Sequence, residues 1–289
     1  MITGRALGWR TQRRWRDWVR ALLLGGAVVI FTFPLAWTVL ASFRITPDDA
    51  TSLPTWTSPT VANYTEEIGV AEPTFAQELA TSTGLSLTAT LLTITVSFLA
   101  AYSLVRSRFR GKRLLVQSLL ILASLPVMAY IVPLSDTMRR LRLEDTFAGV
   151  MLVQTAVNAP LAVYILYGYL TRVSPDLEEA ARLDGATLSQ TLWGVVLPTT
   201  VSGLAATAII VFVLNWNLFL VPLVLTTSRI KTIPVAMSDF FTFERELEWP
   251  TAAAALVVSL LPLVTLVALA HRLLEQFSLP LSSSQERSQ

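Results

Sequence analysis

Apolar residues gather into six long runs, at about 21–41, 84–105, 114–134, 148–170, 201–225 and 252–270, with polar connections between them. At 1.5 Å rise per residue, roughly 20 helical residues cross the ~30 Å hydrocarbon layer, so each run is long enough to span. None alternates with the period of two that a transmembrane β-barrel requires. The pattern predicts an all-α polytopic membrane protein of six transmembrane helices. No Asp, Glu, Lys or Arg occupies a central position in a run, which argues against a proton relay or a charged-ion pathway. The interior polar groups are Gln154, Asn158, Asn215 and Asn217, with Trp216 between the last two. An unpaired amide in hydrocarbon costs roughly 2–7 kcal/mol, so these side chains are expected either to bond between helices or to face an aqueous path for a hydroxyl-rich solute. Pro126, Pro133, Pro160, Pro222 and Pro262 fall in or near the runs and predict kinks.

Between the fourth and fifth runs lies a polar island, residues 174–198, whose order predicts a short helix, a turn and a second short helix. Ser174 can cap the first helix, Pro175 suits its first turn, and Asp176 complements the positive end of its dipole. Leu177, Ala180, Ala181 and Asp184 share one face, where two alanines leave room for a partner to approach closely. Gly185 permits the left-handed backbone that ends a helix, and Thr187 with Gln190 offers a capping box for the next. Glu178 is expected to pair with Arg182 four residues on, as a surface contact, with Glu179 beside it in a solvated connection. Two further connections, 42–83 and 226–251, are sizeable. The first carries Pro47, Pro54, Pro59 and Pro73, with a short surface helix expected around Val61 to Ile68. The second mixes Ile233, Val235, Met237, Phe240, Phe241 and Phe243 with charges, so it must be covered, either by a partner or by folding back on its own helices.

Composition agrees with the pattern: 53% hydrophobic, 15% charged and a mean hydropathy of +0.57 exclude an ordinary soluble domain. Basic residues set the orientation. Arg5, Arg10, Arg13, Arg14, Arg16 and Arg20 precede the first run, and Arg106, Arg108, Arg110, Lys112 and Arg113 follow the second without an acid. Summed over alternate sides, 15 basic residues fall on one side and 7 on the other, which predicts cytoplasmic N and C termini and a cytoplasmic 171–200 connection. The first apolar run exceeds the ~7–15 residues of a signal-peptide core and reads as an anchor. Trp9, Trp15 and Trp18 among the arginines suit anionic lipid headgroups, and a net charge of only +2 does not suit nucleic acid. The expected organisation is a basic segment 1–20, a six-helix domain 21–270 containing the 171–200 loop, and a cytoplasmic tail 271–289.

Catalytic chemistry is not legible. Cysteine is absent and the sole histidine is His271, which removes disulfides, thiolate chemistry and ordinary zinc constellations. There is no Gly-x-x-x-x-Gly-Lys-Ser/Thr run to cradle phosphates, so energy from ATP must enter through a partner. A six-span membrane enzyme or scaffold bearing a surface helix pair is the competing class, and it would keep its turnover when isolated.

Glu179-Ala180-Ala181, then Gly185, then Val195-Val196-Leu197-Pro198 resembles the Glu-Ala-Ala loop of permease subunits in binding-protein-dependent ATP-binding cassette (ABC) importers, with Val195 at the usual isoleucine. Ser58-Pro59-Thr60-Val61-Ala62-Asn63-Tyr64, the Arg108–Leu115 stretch and Asn215-Trp216-Asn217 resemble the carbohydrate-uptake branch, specifically the smaller permease of maltose-type importers. The resemblance implies a type I ABC importer permease fold in a bacterial or archaeal cytoplasmic membrane. It implies a second, homologous permease, two ATPase subunits that use ATP and Mg, an extracytoplasmic solute-binding protein, and no cofactor on this chain. Glu178, Glu179, Ala180, Ala181, Asp184, Gly185, Ala186, Leu197 and Pro198 would couple to the ATPase, and Asn158, Asn215, Trp216 and Asn217 are candidates for the solute path. The implied solute is a sugar, with a glycerophosphodiester, peptide, phosphate or amino acid as alternatives. Two positions depart from the branch. Leu218 stands where many carbohydrate permeases carry an acid, and the serine-rich end after Gln276 lacks the usual glycine-rich finish and has the composition of a disordered tail.

Overall fold

The computed structural model describes residues 6–43, 61–67, 74–227, 230–239 and 249–282. Its elements there are helical: α1 (Ala6–Ser42), a π turn (Asn63–Glu67), α2 (Phe75–Arg106), α3 (Lys112–Ala123), α4 (Ile131–Arg140), α5 (Phe147–Leu170), α6 (Pro175–Leu183), α7 (Leu188–Thr191), a π turn (Leu192–Val196), α8 (Leu197–Thr199), α9 (Val201–Trp216), α10 (Leu220–Leu225), α11 (Ile233–Asp239), α12 (Trp249–Ser259) and α13 (Leu261–Ser282). Among the described residues, four stretches are long and apolar enough to cross a membrane: Asp17–Ser42, Phe75–Arg106, Phe147–Leu170 and Trp249–Ala270. A fifth is counted if Leu188–Thr199 and Val201–Trp216, bent by 76° against each other, form one span.

The expected run 114–134 is not one helix. Pro126 stands at the break, α3 stops at Ala123, and a 3-10 turn over Val127–Ala129 leads into α4. Twelve residues of α3 reach only about 18 Å, too short to cross alone. The expected run 201–225 is likewise divided after Trp216, and Asn217 to Phe219 separate α9 from α10. From Ala6 onward the basic segment forms one helix with the first apolar run, and the last helix continues to Ser282, six residues past Gln276. Residues 58–60 of the branch motif, Phe240, Phe241, Phe243 and the 283–289 end lie outside the described residues.

The chain divides into two compact units, 1–70 with 246–258, and 71–245 with 259–289. In the first, Asn63 Nδ2 donates to the Ser42 carbonyl at 2.7 Å and the Tyr64 hydroxyl donates to Ser42 Oγ at 2.5 Å, tying the last two residues of the Ser58–Tyr64 motif to the end of α1. The second unit is built on α2 and α5, with α9 against both. On α2 the buried face carries Ser82, Ser86, Ala89, Thr93, Ser97 and Ala101, small residues at helical spacing that let α5 approach closely. Thr74 opens α2 with a reciprocal capping box to Gln77.

The turn from α4 to α5 is tight. Arg142 and Asp145 both adopt left-handed backbone, at φ 57° and 53°. Asp145 accepts from the Thr227 amide and hydroxyl, and its own amide donates to the Leu225 carbonyl at 2.9 Å, which joins this turn to the end of α10. Gly149 sits one turn into α5 under the Leu143 carbonyl, and a Cβ there would stand 2.0 Å from that oxygen. Backbone, not a yielding side chain, would have to move. We expect Gly149→Ala to destabilise the unit by roughly 1–3 kcal/mol, the range of overpacking in a filled core. An unchanged melting temperature in detergent would show that the turn relaxes freely.

Residues 230–239 fold back on α2, one of the two expectations for that connection. The Ile233 amide donates to Ser82 Oγ at 2.7 Å and Lys231 Nζ meets Glu78 Oε1 at 3.0 Å. Ile233, Ala236 and Met237 are buried.

Candidate functional site

The helix pair of residues 174–199 takes the expected local form. Ser174 Oγ accepts from the Asp176 amide, Pro175 occupies the first turn of α6, and Gly185 ends it at φ +85°. Thr187 and Gln190 cap α7 reciprocally. The helix then loosens into a π turn for a local reason. Pro198 has no N–H to give to the Gly194 carbonyl, and the Leu197 amide reaches five residues back to the Leu192 carbonyl. This turn delivers Val196, fully buried, into a core with Phe98, Ala101, Tyr102, Val163, Leu166 and Leu170.

Glu179, Ala180, Asp184, Gly185 and Pro198 are exposed, while Ala181, Ala186 and Leu197 are half-buried. Leu183 is 89% exposed, and Leu177, Leu188 and Trp193 are exposed as well. One end of the pair is therefore packed into the bundle and the other presents apolar and acidic side chains to whatever meets it.

Glu178 departs from expectation. It is 2% exposed and does not lie in a solvated connection. Arg106, the last residue of α2, donates from Nε to Glu178 Oε1 at 2.7 Å, and its second nitrogen reaches the same oxygen and the Val173 carbonyl. The Tyr102 hydroxyl donates to Oε2 at 2.9 Å. Arg182, the partner expected from sequence, stands 3.7 Å from Oε2 and is half exposed, so it is the outer and weaker cation. A carboxylate this deep needs its partners, and three donated bonds supply them. The end of α2 is itself held by Lys112, whose Nζ donates to the Val105 and Ser107 carbonyls.

The four candidates for a solute path separate into two groups. Asn158 Nδ2 donates to Asn215 Oδ1 at 2.7 Å, and Asn215 Nδ2 donates to Thr90 Oγ1 at 3.1 Å, so the two amides join α5, α9 and α2. Trp216 is 6% exposed and stacks on Phe212. Asn217 is exposed and bonds only to the Val213 carbonyl of its own helix. Interhelical bonding thus describes Asn158 and Asn215, leaving Asn217 as the accessible amide. Beside them, Gln154 is buried with its Oε1 unpartnered. A groove of about 340 Å³ between α2, the α7–α8 segment and α9 is lined by Ile94, Phe98, Leu99, Trp193, Leu197 and Leu204. That lining suits hydrocarbon, not a hydroxyl-rich solute.

Long apolar helices, a polar seam bonded between them and a capped helix pair anchored to their ends define a polytopic membrane protein of the transporter kind. The chain belongs to the binding-protein-dependent transport system inner membrane component family, whose sequence profile matches residues 93–278. It is 35% identical over 201 residues to the trehalose transport system permease protein SugB of Mycobacterium tuberculosis (strain CDC 1551 / Oshkosh), covering 68% of this chain and 73% of that protein. It is 32% identical over 254 residues to the trehalose/maltose transport system permease protein MalG of Thermococcus litoralis, covering 86% and 91%. In fold it is similar to a bacterial ABC transporter involved in import of the acidic polysaccharide alginate, with a TM-score of 0.72 at 20% identity over 94% of this chain and 99% of that one. The chain is a transport subunit in a membrane, not an enzyme.

Proposed function

We propose that this chain is one permease of an ATP-driven sugar importer, crossing the membrane six times with both termini in the cytoplasm. It lies beside a second, homologous permease, and an extracytoplasmic binding protein delivers the solute. Two cytoplasmic ATPase subunits hydrolyse ATP with Mg and receive the α6–α7 pair. In this reading α3, the 3-10 turn and α4 make the third crossing together, and α9 continued by α10 makes the fifth. Glu179 contacts the ATPase, Ala180 and Ala181 allow close docking, and Gly185 sets the turn. The observation that carries the proposal is the asymmetry of α6: Glu178 is buried against α2, while Glu179, Ala180, Leu183 and Asp184 are left open to a partner. Trehalose and maltose, named for the relatives, are the first solutes to try.

Purification of the full complex tests it, with an ATPase and a second permease expected in stoichiometric amounts. Because the chain has no cysteine, a single Asp184→Cys reports sidedness cleanly, and its labelling from the extracellular side alone would overturn the topology. Gly185→Val should reduce ATPase assembly or uncouple hydrolysis from uptake, since a β-branched residue in left-handed backbone costs roughly 1–3 kcal/mol. Normal transport by that variant would refute the role given to Gly185. Thermal shift of the partner binding protein with trehalose, maltose and related sugars identifies the solute.

A further inference from the structure

We infer that Arg106 and Glu178, with Tyr102 as a second donor, form a strut that makes α6 and α2 move as one body. The inference rests on the reading above that α6 meets the ATPase, and it names the route by which displacement of α6 enters the bundle.

The reason lies in how α6 is attached. Glu178 is the buried residue of this nine-residue helix, so packing contributes little and the hold is a charged one. Apolar contacts let one helix slide past another at small cost, whereas charge-assisted bonds are directional, and here two Arg106 nitrogens converge on Oε1 while Tyr102 holds Oε2 from a second direction. Both ends of this contact are fixed. Arg106 closes α2, whose last carbonyls are held by Lys112, and the same guanidinium bonds Val173, in the short connection between α5 and α6. On the carboxylate, the second oxygen is taken by Tyr102, one turn back on α2 and buried in the Phe98–Leu170 core. A push on α6 therefore arrives at two successive turns of α2 instead of being absorbed at the surface. From there α2 runs 32 residues along α5 and α9 and reaches, at its far end, Ser82 and Glu78, which hold the α11 segment. One continuous helix thus joins the open helix pair to the opposite connection, the kind of secondary element that can carry coupling between distant sites.

The test uses the complete transporter with its partners, reconstituted in lipid. Cysteines are introduced at Ser103 on α2 and Asp176 on α6, both exposed and the second outside the open face of α6, and spin-labelled in the otherwise cysteine-free chain. Interspin distances are measured without nucleotide and with ATP and vanadate. The expected result is one distance in both states for the native pair. For Glu178→Gln, which keeps the shape and a bond to Tyr102 but loses the charge, a second population should appear only with ATP and vanadate. Arg106→Lys, which keeps the charge but loses the fork, should split the distance in the same state and serves if Glu178→Gln fails to assemble. A side chain that merely supported folding would alter both states alike. A native distance that changes with nucleotide, or a single unshifted distance in the assembled variants, overturns the strut. A photo-crosslinker at Leu183 separates the two readings: capture of the ATPase with a changing native distance removes the strut alone, and absence of capture removes the docking reading and the strut together.

Discussion

Replacing Arg106 by methionine is expected to destabilise the protein by about 3–5 kcal/mol, the cost of stranding one partner of a buried ion pair. The carboxylate of Glu178 would keep one donor, Tyr102, and the distant Arg182 at 3.7 Å, in a place where it is 2% exposed. Most of the loss is desolvation left uncompensated, not the worth of the pair itself. The double variant Arg106→Met/Glu178→Met should therefore recover much of it, because a buried pair replaced by apolar side chains is often neutral or better. Thermal unfolding of the four proteins in one detergent checks this as a cycle. If Arg106→Met melts with the native protein, the pair is solvated in solution and α6 is attached by something else. Arg182→Met is the control, and with half its side chain exposed it should cost under about 1 kcal/mol.

That pair also marks where sequence reasoning reached its limit. The ends of the helix pair are legible: Ser174 and Pro175 at the start of α6, the left-handed Gly185, and the Thr187–Gln190 box all follow from rules spanning a few residues, although the equally local π turn before Pro198 does not. Glu178 shows where such local rules stop. Arg182 is four residues away and Arg106 is 72, and only the first separation has a rule attached. A signal was nevertheless present, since Arg106 ends an apolar run next to a connection with no acid to pair it. Hydropathy located the apolar runs well but could not see their breaks. The sequence marks Pro126 and Pro222 as kinks, yet whether a proline bends a helix or divides it depends on what packs against the freed backbone. Pro160 shows the contrast, since it lies inside α5 and the helix runs through it to Leu170.

Asn215→Leu should be the second large loss, roughly 2–4 kcal/mol, counted from two interhelical bonds and a stranded amide. Asn215 accepts from Asn158 and donates to Thr90, so its removal opens the seam between α5, α9 and α2 at one stroke. Leucine matches the volume but leaves Asn158 with no acceptor in a buried site already containing one unpartnered oxygen, Gln154 Oε1. Asn217→Ala is the contrasting change. Its side chain is exposed and bonds only to its own helix, so stability should move by less than about 0.5 kcal/mol. The two variants separate structure from transport. Asn215→Leu is expected to lower the melting temperature and the amount of assembled complex, leaving the concentration of loaded binding protein at half-maximal uptake unchanged. Asn217→Ala, with stability intact, reports through uptake alone whether the accessible amide touches solute. A native melting temperature together with altered solute preference in Asn215→Leu would reverse this division, because it would mean that the seam opens to the solute path when the transporter turns over.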